Sequence, residues 1–137
     1  MDDERPDYVG AWERAGFYDL PKTFDRKMIE TGSTFYIFVD ERRSTQEGMK
    51  FRGRGRDMWG ESAIEGVITN SEISFTKEYD NNAKKKGGRK EVMNYRGVKE
   101  VLEERESPAH LTSLSFFAGL ITSKTMKIPK TFVMKML

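Results

Sequence analysis

The sequence predicts an all-β fold: a closed antiparallel up-and-down barrel of about eight strands, with at most one or two short helices. Three observations predict it. Short runs rich in aromatic and β-branched residues alternate apolar with polar positions and are separated by turn residues. An aromatic-x-glycine unit occurs as Phe51-Arg52-Gly53, as Tyr95-Arg96-Gly97 and as Phe117-Ala118-Gly119. Helical periodicity is confined to two ambiguous stretches, 20–31 and 98–107.

Tyr8 to Phe17 reads as a first strand, with Trp12 as its large apolar residue. Leu20 to Thr31 admits a short helix, because Pro21 suits a helix start and Phe24, Met28 and Ile29 fall near one face. Thr34 to Asp40 is a strand of aromatic and branched residues, and Arg42 to Gly48 a polar turn. From Met49 to Arg56, Phe51, Gly53 and Gly55 share one face; Arg52, Arg54 and Arg56 share the other. A turn at Asp57–Glu61 leads to a strand over Ser62–Thr69, and Asn70-Ser71 turns the chain into Glu72–Tyr79. There the alternation is cleanest: Ile73, Phe75, Lys77 and Tyr79 lie on one side, Ser74, Thr76 and Glu78 on the other.

Asp80 to Lys90 is a basic loop tip, and Glu91 to Gly97 returns as a strand. Val98 to Ala109 is either helical or a strand followed by a charged turn, stopped at Pro108. Leu111–Thr122 and Thr131–Leu137 complete the set of strands, with a turn region between them.

Glycine inside a strand is costly unless it permits a bend or a close approach. Gly53, Gly55, Gly66, Gly97 and Gly119 all fall in predicted strands. A coiled, closing sheet uses such positions, and a neighbouring aromatic ring can cover the exposed backbone. A sandwich whose glycines mark bulges is the alternative. A free terminal strand Thr131–Leu137 would be an apolar edge, and pairing it with the first strand removes both edges at once.

With 137 residues the chain is expected to form one barrel domain, residues 1–137. Its 24 basic and 22 acidic residues nearly cancel, so no global field marks it as a polyanion binder. No apolar run approaches the roughly 18 residues of a membrane span. The acidic, polar start Met1-Asp2-Asp3-Glu4 does not resemble a secretory leader, which suggests a cytoplasmic location. The absence of cysteine excludes disulfides and thiol catalysis, and one histidine, His110, excludes most histidine-rich metal sites. No phosphate-binding loop, dinucleotide fingerprint, nucleophile elbow or metalloprotease motif is present, so neither a cofactor nor a catalytic residue is expected.

Gly10-Ala11-Trp12 resembles the Gly-x-Trp signature that opens the first strand of lipocalins and avidin-like barrels. The pattern Phe51, Gly53, Gly55, Asp57, Gly60, Gly66, then Ile73, Phe75, Lys77, Tyr79, then Tyr95 and Gly97, is similar to small lipocalin-like domains. Phe117, Gly119, Thr131, Phe132 and Met134 extend the likeness to the last strands. The chain is shorter than most lipocalins and lacks their cysteines and their Thr-Asp-Tyr motif. The resemblance implies an up-and-down antiparallel barrel and, loosely, a binding function.

Two functional readings follow. In the first, a small apolar or amphipathic ligand sits in the barrel lumen. If Ile73 and Phe75 point inward, so do Lys77 and Tyr79, and Tyr95 joins them from the next strand. A buried ammonium needs a partner, for which Glu65 or Glu91 is available, or an open, wet mouth; the plain alternative is a lysine at a strand end whose apolar stem lets its head reach solvent. Trp12, Phe75 and the turn residue Trp59 complete this candidate ligand-binding set, although most aromatic residues of a small barrel simply fill its core. In the second reading the barrel is solid and binds an acidic protein or nucleic acid through Arg52, Arg54, Arg56, Lys84, Lys85, Lys86 and Arg89. The plain alternative is a solvated loop and a charge-protected surface. An enzyme using Glu65 with Lys77 ranks below both.

Overall fold

A computed structural model of the protein describes residues 5–13, 20–32, 34–107 and 109–137, with the backbone alone at 104–107, 110 and 112. The strands are β1 (Tyr8–Ala11), β2 (Thr34–Thr45), β3 (Gly48–Asp57), β4 (Gly60–Ile68), β5 (Glu72–Tyr79), β6 (Met93–Ser107), β7 (His110–Ser123) and β8 (Lys130–Met136). Each pairs antiparallel with the next, and β8 returns to β1, so the sheet closes as an eight-stranded barrel. The closing ladder runs from Tyr8 opposite Met136 to Ala11 opposite Val133. The all-β closed barrel expected from the sequence is therefore the fold.

Several boundaries differ from expectation. The first strand ends at Ala11 rather than Phe17, and 14–17 lie outside the described residues. The segment 20–31 carries only one helical turn, α1 (Arg26–Glu30), whose N-cap Asp25 accepts the Lys27 N–H at 2.9 Å. The expected turn at 42–48 is mostly strand: a bulge between Val39 and Glu41 lets the β2–β3 ladder continue to Thr45 opposite Gly48. The stretch 98–107 is strand throughout, because β6 and β7 pair along one long hairpin. The basic loop tip opens with a second short helix, α2 (Asn81–Lys85), capped by Asp80 on the Ala83 N–H at 2.8 Å. Pro108 lies outside the described residues.

Period-two alternation divides the apolar residues between two cores. The lumen holds Phe35, Ile37, Phe51, Ile73, Phe75, Tyr95, Phe132 and Met134, all buried. Phe75 stacks on Tyr95 with centroids 4.6 Å apart, and Phe132 meets Tyr95 edge-on at 5.1 Å. These rings plug the barrel at mid-height. The second core lies outside the wall: Val9, Tyr36, Phe38, Phe116, Ala118 and Val133 face outward and are buried with Leu20, while Phe24 and Ile29 pack against them. Phe24 meets Tyr36 edge-on at 4.8 Å, and the Asp25 N–H donates to the Tyr36 hydroxyl at 3.1 Å. The 20–32 part of the connection from β1 to β2 thus packs on one side of the barrel.

The glycines mark close approach between strands. A Cβ on Gly119 would stand 1.9 Å from the Arg96 carbonyl oxygen, and one on Gly53 would stand 2.0 Å from that of Phe38. No side chain fits there without moving backbone, which is how the wall curves tightly enough to close.

Candidate functional site

The inward face of β5 places Lys77 and Tyr79 side by side at one end of the lumen. Lys77 is 1% exposed, among the most deeply buried residues of the chain. An isolated ammonium in that position would be strongly penalised. Its partner is Asp57, the last residue of β3: Lys77 Nζ lies 2.6 Å from Asp57 Oδ2. The Tyr79 hydroxyl donates to the same oxygen at 2.7 Å, and Oδ1 accepts the Trp59 N–H at 2.9 Å. One carboxylate thus receives three donors. Around the ammonium stand four aromatic rings, with centroids at 4.7 Å (Tyr79), 5.3 Å (Trp12), 5.5 Å (Phe35) and 5.7 Å (Tyr95).

Electrostatics follow from this packing. Burial alone would lower the Lys77 pKa, but its interactions with Tyr95, Asp57 and Tyr79 outweigh burial and hold it above the ordinary lysine value. The side chain stays an ammonium at any physiological pH, which makes it unfit as a nucleophile or a base. Burial raises the Tyr79 pKa, and the nearby Asp57 carboxylate raises it further despite the opposing Lys77 charge. The cluster is a neutral, fully paired floor.

Above that floor opens a cup of about 460 Å³. Trp12, Trp59, Tyr79, Tyr95, Met93 and Ile121 form much of its wall, with Met126, Arg89 and Lys130 also in the lining. The sequence contains two tryptophans, and both stand here. Trp12 Nε1 donates to the Tyr95 hydroxyl at 3.1 Å. The loop ahead of β6 is tied to the β7–β8 loop by Glu91, whose carboxylate accepts the Thr125 N–H at 3.0 Å and also bonds the Thr125 hydroxyl. The Thr125 hydroxyl bond, above all, holds the Glu91 pKa below the ordinary carboxylate value. Arg89 pairs with Glu91 at 3.2 Å.

Of the expected ligand-binding residues, Trp12, Trp59, Tyr79 and Tyr95 meet at this cup, Lys77 lies beneath it, and Phe75 belongs to the plug below. Glu65 does not join them. It sits on the outer face of β4 and lies 3.6 Å from Arg52. Asp57 takes the place foreseen for Glu65 or Glu91. Phe51, Gly53 and Gly55 signalled it, since the same alternation carried two residues further turns Asp57 inward.

The expected basic surface is locally balanced along its arginine row. Arg52 faces Glu65, Arg54 pairs with Asp40 at 3.1 Å and Arg56 with Glu61 at 2.7 Å. Arg54 and Arg56 also lie over the Phe38 ring. On the loop, Lys84 lies 3.8 Å from Glu78, Lys85 and Lys86 are exposed, and Arg89 is drawn into the cup rim.

The opposite end of the barrel has its own opening of about 670 Å³, bordered by the β2–β3 and β4–β5 turns, the middle of β7 and the end of β8. No group of three or more metal-ligating side chains occurs among the described residues. Nor is any described helix long and apolar enough to cross a membrane. No known protein family, no curated protein and no solved structure matches the chain.

Proposed function

We propose that the protein is a non-enzymatic binding protein that takes a small apolar or amphipathic molecule into the cup above Lys77. The observation that carries this reading is the convergence of both tryptophans and two tyrosines on one cavity closed below by a plug of aromatic rings. Its volume, about 460 Å³, falls within the range of small-molecule sites. The wall is mostly aromatic, methionine and isoleucine, and polar groups are few and fixed, as such sites require. Tyr95 accepts from Trp12, which leaves its own hydroxyl proton without an acceptor among the described residues and available to a ligand oxygen. The ion pair beneath costs desolvation, which offsets much of its Coulomb attraction. Its retention fits a role in holding the cup's wall: Asp57 fixes Tyr79 through its hydroxyl and Trp59 through its backbone.

The strand order is compatible with a calycin-like barrel, and kinship with lipocalin-like domains is part of this proposal. So is a cytoplasmic location, which agrees with a chain that carries no cysteine. The arginine row has no comparable support as a macromolecular surface, because each guanidinium has an acidic neighbour.

The test is a titration with the neutral apolar probe N-phenyl-1-naphthylamine. Binding in the cup enhances probe emission and quenches tryptophan, since both indoles line the cavity. The reading is refuted if neither this probe nor its sulfonate analogue changes tryptophan emission up to its solubility limit.

A further inference from the structure

The cup's lining carries two charged side chains, Arg89 and Lys130, and both are cations. Beneath them the Lys77 charge is cancelled by Asp57, so the floor adds no net field. Arg89 uses one terminal nitrogen on Glu91, leaving other N–H groups of its fork uncommitted. Lys130 opens β8 on the rim, is exposed, and has no acidic partner among the described residues. Glu91, which pairs with Arg89, is also held by Thr125 and is not part of the lining. With Glu91 offsetting Arg89, the rim still carries one net positive charge, that of Lys130, over a neutral floor, and attracts ligands of the opposite sign. An apolar wall beneath it selects for an organic anion over a bare ion.

On these grounds we infer that the cup takes an aromatic or acyl anion: its apolar body packs between Trp12 and Trp59 and its carboxylate, sulfonate or phosphate meets Arg89 and Lys130. The inference rests on the cup being a binding site and adds the charge of the ligand. Both cations lie at the rim, so their contribution is screened by water and salt. Two partly exposed charge contacts amount to roughly a three- to thirtyfold change in affinity.

The experiment compares two probes of one scaffold, 8-anilinonaphthalene-1-sulfonate and N-phenyl-1-naphthylamine, which differ by the sulfonate. Each is titrated against the parent protein and the Arg89→Gln/Lys130→Gln variant, with tryptophan quenching as the readout. Far-UV circular dichroism and the melting temperature establish that the variant is folded. The expected result is a roughly three- to thirtyfold loss for the sulfonate probe, unchanged binding of the neutral probe, and salt sensitivity for the sulfonate probe alone. If the variant weakens both probes equally, or neither, the charge assignment is overturned while the cup stands as a binding site. If neither probe quenches tryptophan in the parent protein, the cup reading falls and this inference with it.

Discussion

Replacing Asp57 with alanine strands three donors at once. Lys77 Nζ, the Tyr79 hydroxyl and the Trp59 N–H lose an acceptor at 2.6, 2.7 and 2.9 Å, and the ammonium is left buried without a counter-charge. Removing one partner of a buried ion pair costs about 3–5 kcal/mol. At roughly 3–5 °C per kcal/mol for a chain of this size, the melting temperature falls by about 10–20 °C. Lys77→Met is milder, because the carboxylate keeps Tyr79 and Trp59 as donors; a loss of about 1–3 kcal/mol is expected. The double variant removes both charges and is less destabilised than the sum of the two, with a coupling of at least about 1 kcal/mol. Urea denaturation followed by far-UV circular dichroism measures all three. Additive losses, or a loss below about 1 kcal/mol for Asp57→Ala, would refute the account of the floor as one coupled cluster.

Two further outcomes follow from the wall and from the floor's protonation. Gly119→Ala puts a methyl group 1.9 Å from the Arg96 carbonyl oxygen, where only backbone can yield, so a loss of more than about 2 kcal/mol is expected in thermal or urea melts. Lys77 and Tyr79 both have pKa values raised by folding. Their contribution is therefore full below the unfolded values near pH 10 and is lost as the pH rises further. Stability measured between pH 8 and 12 should fall above pH 10, and a flat profile there contradicts the assignment.

The alternation in Glu72–Tyr79 placed every side chain of β5 on its correct side, because that strand pairs without a bulge and is exposed on one face. The same rule failed to settle Thr34–Val39, where both alternating sets are apolar. Phe35 and Ile37 enter the lumen, whereas Tyr36 and Phe38 support the outer core. A run apolar on both faces signals a strand covered on both, and the cover is the 20–31 segment whose Phe24 and Ile29 looked like one face of a helix. Asp57 was missed as the partner of Lys77 because Asp-Met-Trp-Gly reads as a turn. Turn composition hid a residue that still belonged to the alternating strand before it. The charged run Val98–Ser107 left a helix and a strand with a charged turn both open, and fourteen cross-strand pairs between β6 and β7 decide for strand, tertiary pairing settling what local preference does not. The cup's rim brings together Trp12, Trp59 and Arg89 from three separate connections and Lys130 from the start of β8, a proximity that no local pattern encodes.

The β1–β8 ladder joins opposite ends of the chain across a strand of four residues. Loop-closure entropy makes that seam the most expensive contact to form early, whereas the hairpins from β2 to β5 need only short excursions. Closure is therefore the step expected last in folding, with β1 fitted between β2 and β8 once their other neighbours hold them. Until then the rows of backbone groups on β2 and β8 stand open as templates for another chain, and crowded synthesis is the condition under which this protein is most exposed to misassembly.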